Sequence, residues 1–108
     1  MNSFFVTTAI SYVNGKPHLG HAYEAIACDV LARYKRLSGV NTFFLTGTDE
    51  HGEKNERSAN KEGLSPQEFT KINSDHFEDM TNYLNISNDY FIRTSSESHH
   101  IASKALWN

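Results

Sequence analysis

The sequence lacks the residues and segments that would define several classes of protein. Its 108 residues include one cysteine, Cys28, which excludes an internal disulfide framework and a multi-cysteine zinc site. Since Cys28 falls within an apolar helical pattern, we expect a buried free thiol and not a nucleophile. No apolar run approaches the length of a membrane-spanning helix, about 20 residues, and no signal peptide or arginine-rich presequence is evident. These absences predict a cytoplasmic chain without a membrane partner.

The sequence also lacks an excess of basic residues. It has 10 Lys and Arg residues against 13 Asp and Glu residues, which gives a formal net charge of −3. Proteins that bind nucleic acid usually carry clustered positive charge, so the composition favours no DNA partner. The length predicts one small domain, residues 1–108, which buries only about two-thirds of the surface that its unfolded chain exposes.

Strand and helix patterns alternate along the chain. Short runs rich in β-branched and aromatic residues predict strands over residues 4–10, 42–46 and 89–93, the first two of them buried. Apolar spacing and capping residues predict helices over residues 19–37, 53–61, 66–84 and 98–108. This βαβ rhythm predicts an α/β fold with a parallel sheet and right-handed crossovers.

Two polar loops, residues 11–18 and 47–53, follow the first two predicted strands. In parallel sheets, ligands bind at the edge where the strands reach their carboxyl ends. We therefore expect both loops to face one crevice, the first with its histidines and the second with two acids and a histidine.

The segment His18-Leu19-Gly20-His21 begins the first predicted helix. Its imidazoles, three residues apart, share a face beside unpaired N–H groups at the positive end of the helix dipole, which suits a phosphate. Imidazole donors also stabilise charge that develops on a phosphoryl group, and Gly20 leaves space for a planar base. Two alternatives stay open. The histidines have no role beyond the helix start, or they bind zinc, although H-E-x-x-H spacing and a third ligand are missing.

The second loop contains Asp49, Glu50 and His51. A carboxylate at the end of a strand can bind a cationic group such as an α-amine. The alternative is that these polar residues only solvate a turn. Tyr12, in the first loop, either lines a pocket or packs in the core, and its spacing does not distinguish the two.

Other polar residues have simpler interpretations. Lys16, just before the histidine pair, can add a cation to a phosphate site. His76 lies on the apolar stripe of the third predicted helix and is expected to be a core histidine with satisfied hydrogen bonds. His99 and His100 are expected on an exposed helix surface.

Two segments of the chain resemble a known family. "TTAISYVNGKPHLGHAYEAIACDVLARYKRLSG" followed by "FFLTGTDEHGEK" resembles the start of the bacterial methionyl-tRNA synthetases, which are class I aminoacyl-tRNA synthetases. Their signature H-[I/L]-G-H matches residues 18–21. An isolated HLGH is weak evidence, but here Y-x-N-G precedes it and T-G-T-D-E-H-G follows at the right distance. The resemblance covers nearly the whole chain, including "DYFIRT", and implies a Rossmann-type catalytic domain.

The resemblance implies a methionine–tRNA ligase. Family members activate methionine with ATP and Mg²⁺, release pyrophosphate, and pass the methionyl group from methionyl-adenylate to tRNA(Met). By the resemblance, His18 and His21 are the catalytic residues that hold the ATP phosphates and stabilise the transition state, while Gly20 lets the adenine lie close. The other implied contacts are Asn14 and Glu24 to the nucleotide, Ile10 and Tyr12 to the methionine side chain, and Asp49 to the substrate amine.

Several parts of that family are missing from this sequence. The second signature, K-M-S-K-S, is absent, as are the connective insertion with its zinc-binding cysteines and the α-helical anticodon-binding domain. We therefore expect residues 1–108 to be the N-terminal part of the Rossmann-type domain, truncated before the insertion and without a zinc site. Such a fragment is expected to have an open sheet edge and an exposed apolar helix face. It is not expected to charge tRNA alone, since tRNA(Met) would bind through the missing domains.

Two other functions remain as alternatives. Another H-x-G-H nucleotidyltransferase, such as a small adenylyltransferase, would not carry T-D-E-H-G. A non-catalytic truncated relative that binds a nucleotide or a partner would have lost its loop residues, yet His18, Gly20, His21 and Asp49 are all present. A mitochondrial synthetase is disfavoured because no presequence is evident.

Overall fold

The computed structural model describes residues 2–108. The strands are β1 (Ser3–Thr7), β2 (Ser11–Tyr12), β3 (Asn41–Asp49) and β4 (Tyr90–Arg93). The helices are α1 (Leu19–Leu37), α2 (Glu53–Glu62), α3 (Pro66–Tyr83) and α4 (Glu97–Trp107). All four predicted helices are therefore present, each within two residues of its predicted limits.

The strands form one parallel sheet with β3 at its centre. β1 pairs with the first part of β3, where Thr7 lies opposite Leu45, and β2 pairs with its end, where Tyr12 lies opposite Asp49. Because Leu45 has partners in both β1 and β4, these two strands flank β3 on opposite sides. The predicted α/β class with a parallel sheet is confirmed, and the ends of β2, β3 and β4 meet at one edge.

The first predicted strand is in fact two shorter ones. β1 ends at Thr7, and β2 begins at Ser11, inside the predicted loop of residues 11–18. Between them the backbone N–H of Ala9 donates to Glu24 Oε1 at 2.6 Å, so this group is not available to the sheet. The chain then rejoins the sheet as β2, which corrects the predicted boundaries.

β3 is longer than predicted, because residues 47–49 extend the strand and do not begin a loop. Its polar side chains tolerate burial because their hydroxyl groups are paired with other hydroxyls. Thr46 Oγ1 lies 2.7 Å from Thr8 Oγ1, and Thr48 Oγ1 lies 2.8 Å from Ser74 Oγ. The polar composition that suggested a loop is thus accommodated inside the sheet.

β1 is exposed, contrary to the predicted buried strand. Among residues 2–108 it pairs only with β3, so it is an edge strand. Its Phe5 is 59% exposed and stacks on Phe43 of β3 with the ring centroids 6.0 Å apart. The apolar side chains of β1 therefore lie at an open edge of the sheet in the described chain.

α1 packs on the sheet through small residues. Its buried positions are Ala25, Asp29 and Ala32. The apolar stripe that predicted the helix is instead exposed, at Leu19, Tyr23, Ile26, Val30, Tyr34 and Leu37. α1 thus has the exposed apolar face that the sequence led us to expect.

A buried carboxylate fixes α1 to the segment before β4. Asp29 Oδ1 accepts hydrogen bonds from Ser87 N at 2.8 Å and Ser87 Oγ at 2.5 Å, and Asp29 Oδ2 accepts from Arg33 Nε at 2.9 Å. Burial alone would raise the pKa of Asp29, but the hydrogen bonds from Ser87 and Arg33 outweigh it and lower that pKa.

α3 begins at the predicted capping box. Ser65 Oγ accepts from Glu68 N at 3.2 Å, and Glu68 Oε2 accepts from Ser65 N at 3.1 Å. A proline occupies the first helical position, where its missing N–H costs nothing.

The apolar core beneath the helices consists of Val13, Ala25, Ala32, Phe44, Ala59, Phe69 and Phe77.

Cys28 has a free thiol but is half-buried, where the sequence predicted full burial. Its Sγ lies 3.9 Å from the carbonyl oxygen of Thr7. Burial, and then the negative charge of Glu24, raise the pKa of this thiol, which makes it a poor nucleophile at neutral pH. Within residues 2–108, no helix is both long and apolar enough to cross a bilayer.

Candidate active site

A cleft of about 350 Å³ opens at the carboxyl edge of the sheet, beside β2 and the start of α1. Five of the eight predicted site residues line it, namely Ile10, Tyr12, Asn14, His18 and His21. Lys16, the predicted extra cation, lies in the same lining. The cleft forms because β2 ends next to the N-terminus of α1, with a short turn between them.

The two signature histidines cap α1 reciprocally. His18 Nδ1 accepts a hydrogen bond from Gly20 N at 3.0 Å, and His21 Nδ1 accepts one from His18 N at 3.0 Å. Their ring centroids lie 3.9 Å apart. Each imidazole thus takes the place that Ser and Glu take in the usual capping box, and satisfies a backbone N–H that the helix leaves unpaired.

This capping fixes the tautomer of both rings. A nitrogen that accepts a hydrogen bond carries no proton, so a neutral ring capped through Nδ1 has its proton on Nε2. Burial, and then the neighbouring His18, lower the pKa of His21, while Glu24 acts in the opposite direction. His21 is therefore neutral at pH 7 and has an Nε2–H group to donate to a ligand.

Gly20 is required by the ring of His18. A Cβ atom at position 20 would lie 2.8 Å from His18 Cε1, closer than Cβ atoms approach other atoms, and 3.0 Å from His18 Nδ1, which is a tight contact. The sequence suggested that Gly20 leaves space for a planar base. The geometry adds a second reason, because any side chain here would displace the imidazole that caps the helix.

Glu24 lies below the cleft and does not line it. It borders a smaller cavity of about 20 Å³ together with His21 and Ser11. Its Oε1 accepts the hydrogen bond from Ala9 N that separates β1 from β2. The structure thus gives this carboxylate a backbone partner immediately before Ile10.

Asp49 lies next to the cleft at the end of β3. It is the sheet partner of Tyr12, which does line the cleft. Its Oδ1 accepts from His51 N at 3.1 Å and lies 3.5 Å from Thr94 Oγ1. These contacts hold the carboxylate through one oxygen.

Glu50 does not face the crevice, and the expectation that both acids do so is wrong. Its side chain is 0% exposed and forms a two-pronged ion pair with Arg93, with Oε1–Nη2 at 2.5 Å and Oε2–Nε at 2.9 Å. Ser95 Oγ donates to Oε2 at 2.8 Å. These hydrogen bonds to Glu50 raise the pKa of Arg93. The charge of Glu50 is thus used to join the end of β3 to the end of β4.

The sequence of residues 4–108 matches the family described as tRNA synthetases class I (M). The chain belongs to that family. Methionine–tRNA ligase of Rhizobium meliloti (strain 1021) is 61% identical over 104 residues, which cover 96% of this chain and 20% of that protein. Methionine–tRNA ligase of Mycobacterium tuberculosis (strain CDC 1551 / Oshkosh) is 53% identical over 107 residues, which cover 99% of this chain and 21% of that protein.

The fold matches solved methionyl-tRNA synthetases. The crystal structure of the Mycobacterium tuberculosis enzyme bound by methionyl-adenylate has a TM-score of 0.95 at 50% identity, and covers 99% of this chain and 21% of that chain. A second structure of that enzyme, in complex with methionyl-adenylate, has a TM-score of 0.96 at 52% identity. The chain therefore spans about a fifth of the length of the methionyl-tRNA synthetases that it matches.

Two histidines of this class I synthetase chain lie away from the positions expected for them. His51 does not line the cleft of His18 and His21, because its Nε2 lies 3.0 Å from the carbonyl oxygen of Thr94 in a second cleft. His76 is half-buried, where a buried core histidine was expected.

Three residues that line the cleft were not among the predicted site residues, namely Ser11 and Gly15 of the first loop and Phe77. Phe77 of α3 lines it and meets His21 edge-on, with the ring centroids 4.9 Å apart. Its apolar spacing on α3 correctly indicated a buried residue. The contact with His21 depends on how α3 crosses the sheet, which no local pattern reports.

Proposed function

We propose that this chain forms the nucleotide- and methionine-binding part of a methionine–tRNA ligase. The enzyme activates methionine with ATP, supplied as its Mg²⁺ complex, and transfers the methionyl group to tRNA(Met). The observation that carries the proposal is the cleft in which His18 and His21 cap α1 beside Ile10 and Tyr12. Membership of the class I family over residues 4–108 supports it.

The phosphates of ATP bind at the N-terminus of α1. His18 and His21 donate through Nε2–H to the oxygens of the α-phosphoryl group, on which negative charge grows during the reaction. Their rings need no reorganisation, because the Nδ1 atoms are already held by the helix backbone. Lys16 adds a positive charge and Asn14 an amide donor at the rim, while the adenine lies over Gly20.

Methionine binds beside the phosphates at the ends of β2 and β3. Ile10 and Tyr12 contact its side chain, and Asp49 pairs with its α-amine. A carboxylate oxygen of methionine attacks the α-phosphorus of ATP, and pyrophosphate leaves with the electrons of the broken P–O bond. A terminal hydroxyl of tRNA(Met), bound by the rest of the enzyme, then attacks the carbonyl carbon of methionyl-adenylate.

Glu24 acts on this site through the backbone. The resemblance implied a contact with the nucleotide, but the carboxylate is bonded to Ala9 N at 2.6 Å. Since Ala9 precedes Ile10, this hydrogen bond sets the position at which Ile10 enters the cleft. We assign Glu24 the role of positioning the methionine pocket.

The proposal is tested by methionine-dependent ATP–pyrophosphate exchange. The chain is assayed alone and mixed with the remainder of a related methionyl-tRNA synthetase, that is, the roughly four-fifths that it does not match. His21→Ala is the site variant, and His99→Gln, outside the cleft, is the matched control. We expect exchange in the mixture, unchanged in His99→Gln and lost in His21→Ala.

Two results would contradict the proposal. A folded chain that gives no exchange in the mixture would argue for a non-catalytic relative of the synthetases. Exchange that survives His21→Ala would mean that the nucleotide is activated elsewhere. Exchange by the chain alone would support the site but show that the missing signature is dispensable.

A further inference from the structure

A second cleft, of about 300 Å³, lies between the loop after β3, the start of α3 and α4. Its lining includes Glu50, His51, Gln67, Ser95 and His100. The proposed function uses none of these side chains. His51 and His100 are 49 residues apart, so no sequence motif links them, and the fold alone brings them together.

The two imidazoles in this cleft have the geometry of a chelating pair. Their Nε2 atoms are 3.4 Å apart, and their rings are 29° from parallel with centroids 5.6 Å apart. Zn²⁺ binds imidazole nitrogen at about 2.0–2.1 Å, which places two tetrahedral ligands about 3.4 Å from each other. A direct hydrogen bond from N–H would favour about 3.0 Å. The separation fits two ligands of one ion better than it fits a hydrogen bond.

A third donor lies beside the pair. The carbonyl oxygen of Thr94 is 3.0 Å from His51 Nε2. Thr94 is buried and held on two sides, because its N–H donates to Thr48 O at 3.2 Å and its Oγ1 accepts from Glu50 N at 2.8 Å. The Nε2–H group of His51 donates a hydrogen bond to this carbonyl oxygen, and the oxygen becomes a fixed ligand when a metal ion replaces that proton.

We propose that His51 and His100 bind a divalent transition-metal ion of the class that prefers imidazole, such as Zn²⁺, with the Thr94 carbonyl oxygen as third ligand and water completing the coordination. Within residues 2–108, no group of three or more His, Cys, Asp or Glu side chains is placed so that it could hold a metal ion. With two imidazoles and one carbonyl oxygen, the proposed ligand set differs from that of a structural zinc site, in which four side chains hold the ion. It departs from the expectation of no zinc because its ligands come from distant segments.

Binding at this site has a defined structural consequence. The ion ties α4, through His100, to the loop after β3, through His51. The backbone N–H of His51 donates to Asp49 Oδ1 at 3.1 Å, so the same loop orients Asp49. The proposal does not rest on the proposed function, because metal binding can be measured without any enzymatic assay.

The test is a titration of the full chain, free of any histidine tag, with Zn²⁺ alone in an isothermal titration calorimeter. We expect one ion per chain, and both His51→Gln and His100→Gln to weaken its affinity at least about tenfold. His99→Gln is the matched control, since the His99 ring centroid lies 6.5 Å from that of His100 and His99 is not part of the cleft lining. It is expected to change the affinity less than about twofold.

Imidazole ¹H–¹⁵N spectra locate the ion independently of affinity. We expect the Nε2 signals of His51 and His100 to shift when Zn²⁺ is added. The Nε2 signals of His18 and His21 are expected to keep their chemical shifts. If circular dichroism shows that His51→Gln is unfolded, His100→Gln still tests the proposal, because His100 is at an exposed position. Equal losses in His99→Gln, shifts confined to His18 and His21, or no binding by the folded chain would each overturn the proposal.

Discussion

His18 combines two tasks that a substitution can separate. Its Nδ1 caps α1 by accepting from Gly20 N, and its Nε2 remains for a ligand. Asparagine is among the best N-cap residues but has no imidazole. We expect His18→Asn to keep the stability within about 0.5 kcal/mol, and His18→Ala to lose about 1 kcal/mol. Both variants are expected to lower ATP–pyrophosphate exchange in the mixture by about 10²-fold or more.

Urea unfolding tests the capping role of His18, and ATP–pyrophosphate exchange on the same samples tests its role in the chemistry. If His18→Asn is as unstable as His18→Ala, the side chain does not cap the helix. If His18→Asn retains exchange, the imidazole is not needed for chemistry.

Gly20→Ala should also lower activity while it leaves stability nearly unchanged. A Cβ atom would lie 2.8 Å from His18 Cε1, so the ring must turn away and its cap is lost, at a cost of about 1 kcal/mol. Alanine in place of glycine within a helix stabilises it by about 1 kcal/mol. We therefore expect nearly unchanged stability in urea but a large loss of exchange. Full exchange with an unshifted His18 imidazole signal would contradict the steric argument.

The His21 cap makes stability depend on pH. His21 accepts from His18 N only when its Nδ1 is unprotonated, and its pKa lies below the ordinary value of 6.5. The unfolded chain therefore binds this proton at higher pH than the folded chain does. We expect the contribution of His21 to be complete above pH 6.5 and to be lost as the pH falls through the lowered pKa of the folded state.

Urea unfolding between pH 7.5 and pH 5 measures this effect. His21→Gln should flatten the slope of stability against pH in that range. The pKa of Asp29 is also lowered, so Asp29 too loses its contribution to stability as the pH falls. That loss begins only near the ordinary pKa of 3.8, below the range in which His21 titrates, so the two effects can be told apart. A slope that is the same with and without His21 would mean that another group titrates.

At the level of elements, β3 and β4 are joined by the ion pair of Glu50 and Arg93. Removing one member of a buried pair leaves the other charge without its partner, which costs about 3–5 kcal/mol. The side chain of Glu50 is 0% exposed and that of Arg93 29%, so we expect Glu50→Gln to lose about 3 kcal/mol, near the lower limit. Glu53→Gln is the matched control, since its pair with Arg57 is exposed and contributes less than about 1 kcal/mol. Similar losses in both variants on urea unfolding would contradict the assignment.

The limits of an element could be predicted from the sequence where the residues that fix them are close together along the chain. The start of α3 was predictable because Ser65 and Glu68 are three residues apart and cap each other. The end of β3 was not, because Thr48 finds its hydroxyl partner 26 residues later and Glu50 finds Arg93 43 residues later. A polar run thus indicates a loop until its distant partners are known.

For the whole molecule, the cleft was largely predictable because its lining comes from one continuous stretch. Ile10 to His21 runs from the break after β1 into α1, so the βαβ pattern alone sets these side chains at one edge. Phe77 and the pair of His51 and His100 depend on how α3 and α4 pack, and local patterns carry no information on that packing.

The exposed apolar face of α1 gives a prediction for the assembled molecule. Val30 is 63% exposed in this chain, so Val30→Glu should change its stability by less than about 0.5 kcal/mol. If the remainder of a related synthetase completes the domain by packing on α1, the same substitution buries an unpaired carboxylate at the new interface. We therefore expect Val30→Glu to abolish the exchange that mixing produces, while Lys54→Glu on the exposed surface of α2 leaves it. Exchange that is equal in the two variants, with both chains folded, would show that the remainder packs elsewhere and that the apolar stripe of α1 is not the surface that completes the active site.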